Sequence, residues 1–127
     1  MANLVLVRGL PGSGKSTFAK SLVGYAHFEA DQYFIDEDGR YNFDAARVGD
    51  AHRQCQSRTF SYLNKNHDVV VSNTFTTMWE MQPYINAARA GGHMLTVLHC
   101  EGSHGNVHGV PESTIAKMRD RWEDFLI

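Results

Sequence analysis

The sequence of 127 residues has little cysteine and no long hydrophobic run. Its two cysteines, Cys55 and Cys100, lack paired spacing, which is typical of reduced thiols in an intracellular protein and not of a disulfide framework. The first apolar run, residues 4–7, is far too short for the core of a signal peptide or for a membrane span. We therefore expect a cytoplasmic protein without disulfides and without a membrane partner.

A strong net charge, internal repeats and Pro/Ser-rich linkers are also missing. The net charge is −2 with neutral histidines, so an anionic partner would have to be bound by local clusters of Arg and Lys. Since no linker divides the sequence, 127 residues suit one domain covering residues 1–127.

Short β-prone runs alternate with helical patterns along the chain. We predict strands at residues 4–7, 25–30, 68–72 and 93–98. Predicted helices cover residues 15–23, 43–64 with Asp44 as N-cap, a segment from Thr77 to the stop at Gly91 and Gly92, and 112–125. Pro83 should kink or restart the third helix. The alternation predicts an α/β fold with a mainly parallel sheet of about four strands and helices on both faces.

A glycine-rich loop separates the first strand from the first helix. Gly9, Gly14, Lys15 and Ser16 match G-x-x-x-x-G-K-[ST], a loop whose backbone N–H groups bind phosphate oxygens. Lys15 would neutralise the β- and γ-phosphates, Ser16 would offer its hydroxyl to Mg²⁺, and Thr17 would contact the α-phosphate or cap the helix. A turn that merely links strand to helix is the weaker alternative. The predicted nucleoside triphosphate site comprises Gly9, Pro11, Gly12, Ser13, Gly14, Lys15, Ser16 and Thr17.

Among P-loop proteins, a small kinase fits best. The N-K-x-D motif of guanine-selective GTPases is absent, and the chain is too short for a ring or transporter ATPase. In open α/β sheets the reacting groups collect at the carboxyl ends of strands, where Asp31 follows the second strand. Its carboxylate could accept the proton of a hydroxyl that attacks the γ-phosphoryl group. The alternative is an aspartate that caps a turn.

Candidate acceptor contacts lie elsewhere on the chain. Asn73 and Thr74 end the third strand, where a Walker-B carboxylate could have been, and could hold the waters of the metal or the acceptor, unless they are ordinary loop polar groups. Arg47, Gln54 and Arg58 form one stripe of the long helix that could grip acceptor phosphates, although a solvated face is the commoner explanation.

The segment 99–108 contains several histidines beside Cys100. His99, His104 and His108 could bind zinc with that cysteine, but glycines dominate the segment and no C-x-x-C partner exists. A lid that closes over the phosphates and excludes water is the better prediction.

Four blocks in order span nearly the whole chain: GLPGSGKST, ADQYFIDEDGRYNFD, VVVSNTFTTMWEMQPYI and NVHGVPESTIAKMRDRWE. Together they resemble the 5′-polynucleotide-kinase branch of the P-loop kinases. The resemblance implies a three-layer P-loop kinase fold and transfer of the γ-phosphate of ATP, with Mg²⁺, to a 5′-hydroxyl end of RNA or DNA. It further implies a general base at Asp31, triphosphate binding through Lys15 and Ser16, and acceptor or phosphate contacts near Asn73 and Thr74.

The sequence departs from that family at two places. Gly105 stands about where a lid arginine is expected, so His104, His108, Arg119 or Arg121 would have to substitute. Phe34 stands near the position of an acceptor-side arginine. Two alternatives stay open: a kinase of a nucleotide or small metabolite, and a nucleotide-binding module with little turnover.

Overall fold

A four-stranded parallel sheet forms the middle layer of the computed structural model, which describes residues 1–102 and 109–125. The strands are β1 (Asn3–Arg8), β2 (Ala26–Phe28), β3 (Val69–Asn73) and β4 (Met94–His99). Their order is β2-β3-β1-β4, so β1 pairs with β3 on one side and with β4 on the other. The predicted α/β fold with a parallel sheet is confirmed.

Four α-helices and two 3-10 turns accompany the strands in residues 1–102 and 109–125. The helices are α1 (Lys15–Lys20), α2 (Val48–Asn64), α3 (Met78–Gly91) and α4 (Glu112–Asp120), and the 3-10 turns comprise Ala30–Phe34 and Ala45–Arg47. Within the described ranges, none of these helices has the length and apolar character needed to cross a membrane.

The side chains of β1 point alternately into two hydrophobic clusters, one on each face of the sheet. Leu4 and Leu6 pack with residues of α2 and α3, whereas Val5 and Val7 pack with Ala19 of α1. A strand covered on both faces must be apolar throughout, which explains the continuous run in β1 and its counterpart in β3. The sheet is therefore the middle layer between helices on both faces.

Helix α3 begins and ends as its sequence predicts. Thr77 and Glu80 form a reciprocal capping box, and Gly92 closes the helix with a φ of 67°. The helix nevertheless runs through Pro83 without interruption, so the restart considered at that residue does not occur. Pro83 lacks the N–H that would bond to the carbonyl of Trp79, and because Trp79 is 83% exposed that carbonyl can bond to water.

Two helices are shorter at their C-terminal ends than predicted. Helix α1 ends at Lys20 and not at residue 23, because the Ser21 hydroxyl donates to the Phe18 carbonyl, 2.5 Å away, and the chain turns at Gly24. Helix α4 ends at Asp120 and not at residue 125, because the backbone N–H of Glu123 donates to a loop carbonyl after β3.

The segment predicted as one helix over residues 43–64 is divided at its start. The Asp44 carboxylate accepts a hydrogen bond of 3.0 Å from the N–H of Ala46, as an N-cap does, but the turn it caps is the 3-10 turn Ala45–Arg47. Helix α2 begins only at Val48.

Candidate functional site

The loop between β1 and α1 has the backbone geometry of a phosphate-binding loop. Gly12 and Gly14 have φ values of 82° and 88°, which L-residues with side chains rarely adopt. The Ser13 N–H donates to the Leu10 carbonyl at 3.1 Å, which closes the turn before the helix. The positive end of α1 then faces the concave side of the loop, and such a concavity of amide groups binds anions.

Gly9 permits a close approach of three chain segments. A Cβ built on Gly9 would meet the Ser13 side chain and lie 2.8 Å from the carbonyl oxygen of Cys100. The Ser13 hydroxyl is buried, and it has no hydrogen-bond partner in the described part of the chain. Only glycine therefore lets the end of β1, the loop and the residue after β4 pack together.

Lys15 lies at the first position of α1, and two nearby carboxylates affect the pKa of its ammonium group. Partial burial lowers the pKa of the Lys15 ammonium, and the charges of Glu29 and Asp31 oppose that effect. A cation beside two anions and at a positive helix end suits a phosphate chain, whose negative charge it can neutralise. The loop and the carboxylates thus meet at the carboxyl edge of the sheet.

Glu29, which no motif singles out, makes the densest polar contacts at this edge. Its Oε2 atom accepts hydrogen bonds from the hydroxyls of Ser16 and of Ser72, the latter at 2.6 Å. His27 Nε2 lies 3.7 Å from the same oxygen and 2.7 Å from Ser72 Oγ. Burial alone would raise the pKa of Glu29, but the contacts with His27, Ser16 and Ser72 outweigh it and lower the pKa to about 2. Glu29 is therefore a carboxylate anion at neutral pH.

Asp31 lies in the 3-10 turn that follows β2, and the side chains of Asn73 and Tyr41 help to hold that turn. The Asn73 Oδ1 atom accepts a hydrogen bond of 2.9 Å from the backbone N–H of Ala30. The Tyr41 hydroxyl donates to Asp31 Oδ1 at 3.2 Å. Burial, the charge of Asp31 and this hydrogen bond together raise the pKa of Tyr41 to about 12. Asp31 is thus held by β3 on one side and, on the other, by the following hairpin, residues 35–41, which an antiparallel bridge between Ile35 and Tyr41 closes.

The other predicted acceptor residues occupy different surroundings. Asn73 is 7% exposed and also donates to Cys55 Sγ at 3.7 Å, so its amide groups bond within the fold. The Thr74 carbonyl accepts a hydrogen bond from Gly9 N–H. Arg47 and Arg58 are exposed, and Arg47 donates to the Asp50 carboxylate at 3.1 Å. These acceptor roles stay predictions.

A cavity of 580 Å³ lies on the opposite side of the phosphate loop from Asp31's turn. Its walls come from the loop, the end of β4 and helix α4, with lining residues that include Leu10, Ser13, Cys100, Ile115, Arg119 and Trp122. Arg8 supports one wall: its buried guanidinium donates to the carbonyls of Phe75 and Glu123 at 2.7 and 2.6 Å, and lies 4.1 Å from the Trp122 ring centroid. The cavity thus adjoins the phosphate loop.

The predicted lid lies partly outside the described residues. His104, Gly105 and His108 belong to the segment 103–108, for which no structure is described. The His99 ring stacks on Trp122 with centroids 4.5 Å apart, and His99 Nδ1 lies 3.5 Å from a Glu101 carboxylate oxygen. In residues 1–102 and 109–125 no three His, Cys, Asp or Glu side chains are grouped as a metal site would require.

Of the residues considered for the missing lid arginine, two are described. Arg119 lines the cavity beside the loop. Arg121 points to another contact, because its Nε atom donates to the Thr76 hydroxyl at 3.0 Å. Phe34, near the expected acceptor-side arginine, is 6% exposed and packs with Ala30 and Ala51.

The oxygen atoms around Ser16 suit a hard divalent cation. The Ser16 hydroxyl and the Glu29 carboxylate are in direct contact, and phosphate oxygens in the loop would complete an all-oxygen donor set. Mg²⁺ prefers such donors and keeps several waters. The residues present therefore fit the metal that the phosphate loop implies.

A family model described as AAA domain (AAA_33) matches residues 4–108. The chain belongs to this family. It is a P-loop kinase-like domain, as the loop, the parallel sheet and the covering helices indicate. The chain is also 33% identical over 140 residues to NEDD4-binding protein 2 of Homo sapiens, an alignment that covers 97% of this chain and 8% of the human protein. The domain thus spans a small part of that relative.

Solved structures of several kinases share the fold. A chain of the Pnkp1/Rnl/Hen1 RNA repair complex matches with a TM-score of 0.63 at 16% identity, covering 98% of this domain and 40% of that chain. A gluconokinase from Sinorhizobium meliloti 1021 matches with a TM-score of 0.64 at 18% identity, covering 96% and 75%. The Mycobacterium tuberculosis APS kinase CysC in complex with AMPPNP and APS matches with a TM-score of 0.58 at 17% identity, covering 78% and 62%. These similarities confirm the P-loop kinase-like fold.

Proposed function

We propose that this domain transfers the γ-phosphoryl group of ATP to the 5′-hydroxyl end of RNA or DNA. The observation that carries the proposal is the approach of a phosphate-binding loop and two carboxylates at one edge of the sheet. The charges of both carboxylates, Glu29 and Asp31, raise the pKa of Lys15 against the effect of burial. Phosphoryl transfer needs little covalent help from the protein beyond positioning, charge neutralisation and removal of one proton.

The loop side binds the donor. Backbone N–H groups of the loop, such as those of Gly12 and Gly14, donate to the phosphate oxygens, Lys15 neutralises the β- and γ-phosphates, and Thr17 contacts the α-phosphate. Ser16 offers its hydroxyl oxygen to Mg²⁺, which when bound neutralises charge on the phosphates. The ribose and base extend into the cavity lined by Leu10 and Trp122. Arg119, which lines the same cavity, takes the place of the missing lid arginine.

The carboxylate side activates the acceptor. Asp31 accepts the proton of the 5′-hydroxyl while that oxygen forms a bond to the γ-phosphorus and the bond to the bridging oxygen of ADP breaks. Tyr41 holds the Asp31 carboxylate through the 3.2 Å hydrogen bond, and Asn73 holds the turn that carries it. Asn73 is in this proposal a positioning residue, whereas Thr74, Arg47 and Arg58 contact the acceptor or its phosphates.

The choice of a polynucleotide acceptor rests on similarity. The four sequence blocks resemble the 5′-polynucleotide-kinase branch, and one neighbour of the same fold belongs to an RNA repair complex. The gluconokinase and APS kinase neighbours have the same fold, so acceptors of low molecular weight are the main competing substrates.

A transfer assay with several acceptors tests the proposal. ATP labelled in the γ-phosphate is offered with a 5′-hydroxyl RNA or DNA oligonucleotide, with mononucleosides, with gluconate and with water alone. We expect labelling of the oligonucleotide, reduced about 10²–10⁴-fold in Asp31→Asn, the loss typical for a removed general base. Asp38→Asn is the matched control, since Asp38 is exposed in the neighbouring hairpin.

Each of three other results of this assay would contradict one part of the proposal. Labelling of a small acceptor without the oligonucleotide would refute the polynucleotide substrate. Full activity of Asp31→Asn would refute the assigned base. ATP binding without transfer to any acceptor would refute the kinase activity and leave a nucleotide-binding module.

A further inference from the structure

The end of β3 lacks the acidic residue that commonly accompanies a phosphate loop. In P-loop NTPases the Ser or Thr after the loop lysine and an aspartate at the end of a neighbouring strand together hold the metal ion. Here β3 is the neighbour of β1 and ends in Ser72 and Asn73, both uncharged. We propose that Glu29, which follows β2, supplies this metal-orienting carboxylate by reaching across Ser72 to Ser16. The inference rests on the proposed binding of ATP with Mg²⁺, but not on the identity of the acceptor.

The strand order makes that reach possible. Strand β2 pairs with β3 in parallel, with Phe28 opposite Val71, so Glu29 emerges beside the end of β3. Ser72 is small and donates its hydroxyl to Glu29 Oε2 at 2.6 Å, which holds the longer glutamate side chain over β3 and against Ser16. Glu29 follows a strand that is one place further from β1 than β3 is. Its longer side chain therefore places its carboxylate where that of an aspartate at the end of β3 would lie.

The hydrogen bond between Ser16 and Glu29 leaves the atoms needed for a cation available. A serine hydroxyl has one proton and two lone pairs, and here the proton is given to Glu29. The lone pairs of Ser16 Oγ can therefore bind a metal ion without breaking that bond. Both serine hydroxyls and His27 approach Oε2, while no hydrogen bond from residues 1–102 or 109–125 reaches Glu29 Oε1. Oε1 can accept a hydrogen bond from a water bound to the metal.

A purely structural role does not require the negative charge. The amide oxygen of a glutamine would accept the same two serine hydroxyls. Burial of a carboxylate whose side chain is only 18% exposed costs desolvation energy. The contacts with His27, Ser16 and Ser72 offset that cost, so a negative charge is held directly beside the Ser16 hydroxyl, where a divalent cation would bind.

The test measures how nucleotide binding depends on Mg²⁺. Binding of a fluorescent methylanthraniloyl-ATP is titrated without metal, in the presence of EDTA, and then over a range of Mg²⁺ concentrations. We expect Glu29→Gln to raise the Mg²⁺ concentration at half-maximal effect about 10–100-fold, the usual loss for partners that orient metal ligands. Affinity in EDTA should stay within about twofold, because the loop itself is intact.

Two variants complete the experiment. Glu37→Gln makes the same chemical change at an exposed residue and should titrate like the wild type. Ser72→Ala keeps the charge of Glu29 but removes its support, and should shift the Mg²⁺ midpoint in the same direction by less, about 3–10-fold. If Glu29→Gln does not fold, as judged by circular dichroism, the Ser72→Ala result decides.

A Mg²⁺ midpoint unchanged in Glu29→Gln, or in Ser72→Ala where that variant decides, would overturn the inference. Equal losses of affinity with and without Mg²⁺ would also overturn it, because they indicate a structural role. The assay contains no acceptor, so it tests Glu29 separately from the kinase activity. A shifted midpoint in a protein that phosphorylates nothing would uphold the role of Glu29 and refute the kinase activity. Oligonucleotide labelling with an unshifted midpoint would support the kinase activity and overturn the role of Glu29.

Discussion

The two sides of the candidate site are held in different ways. On the loop side, residues 9–17, the turn is closed by backbone hydrogen bonds between near neighbours, such as Ser13 N–H to the Leu10 carbonyl. On the carboxylate side, residues 29–41, the decisive bonds come from side chains 43 residues away in sequence, from Ser72 to Glu29 and from Ala30 to Asn73. The loop is thus a local backbone structure, and the carboxylate side is a set of links between strands.

This difference predicts different sensitivities to substitution. On the loop side, glycines and the single lysine should matter most, because the backbone supplies the other ligands. On the carboxylate side, a polar residue that never meets the substrate should matter, because it positions one that does. The variants below separate the two sides.

Lys15→Ala should have the largest effect, because it removes the only lysine of the loop. We expect phosphoryl transfer to fall about 10³-fold, or about 4 kcal/mol in activation free energy, together with weaker ATP binding. The measurements are labelled phosphate transfer and nucleotide titration. Lys20→Ala is the control, since Lys20 is exposed at the end of the same helix and should leave both unchanged. Transfer above a tenth of the wild-type rate in Lys15→Ala would contradict the assigned role.

Asn73→Ala should damage the carboxylate side and spare the loop. It leaves the buried N–H of Ala30 without its partner, so we expect the free energy of unfolding to fall by about 3 kcal/mol in a urea titration. Transfer should fall more than ATP affinity does, because the turn that carries Asp31 loses its support.

Asn86→Ala is the matched control for this variant, because Asn86 is exposed on α3 and should cost less than about 0.5 kcal/mol. An equal loss of transfer and ATP affinity in Asn73→Ala would show that the two sides are not separable in this way.

Gly9→Ala should damage the loop side by steric overlap. The added methyl group would meet the Ser13 side chain and the Cys100 carbonyl, so we expect a loss of about 2 kcal/mol in unfolding free energy and weaker ATP binding. Gly49→Ala, in α2, would place its Cβ 3.4 Å from the Arg53 guanidinium and should instead stabilise by about 0.5–1 kcal/mol. Unchanged ATP affinity in a folded Gly9→Ala protein would show that the loop tolerates a wider turn.

The contrast between local backbone contacts and links between distant residues also explains which features the sequence could predict. The loop, the four strands and the capping box at Thr77 are coded by residues close together in sequence, and the structure contains all of them. The predicted helix ends were less accurate, because contacts with distant residues, such as that of Glu123 with the segment after β3, decide where α4 ends.

Glu29 and Arg8 could not be found by spacing. Each acts through partners that the fold brings together, such as Ser72 for Glu29 and the Phe75 carbonyl for Arg8. In the structure Arg8 is the last residue of β1 and Glu29 directly follows β2, so both are charged residues at a strand end, but the predicted second strand, residues 25–30, placed Glu29 inside it. Asn73 was selected for its position at a strand end, but the structure places its amide in a link within the fold, which only the pairing of β3 beside β2 could reveal.

Titration of Tyr41 tests the smallest link on the carboxylate side, its hydrogen bond to Asp31. The pKa of Tyr41 is raised to about 12, so the native state keeps the phenol proton above the ordinary value of 10. The stabilisation from this shift is complete below about pH 10 and is lost as the pH rises through about 12.

Asp31→Asn removes a nearby charge, so the pKa of Tyr41 should fall toward 10 but stay above it, because burial contributes most to the shift. Nuclear magnetic resonance of the labelled Tyr41 ring carbon measures both values, and Tyr41→Phe assigns the signal. An identical pKa in the wild type and in Asp31→Asn would show that the hairpin does not hold the proposed base.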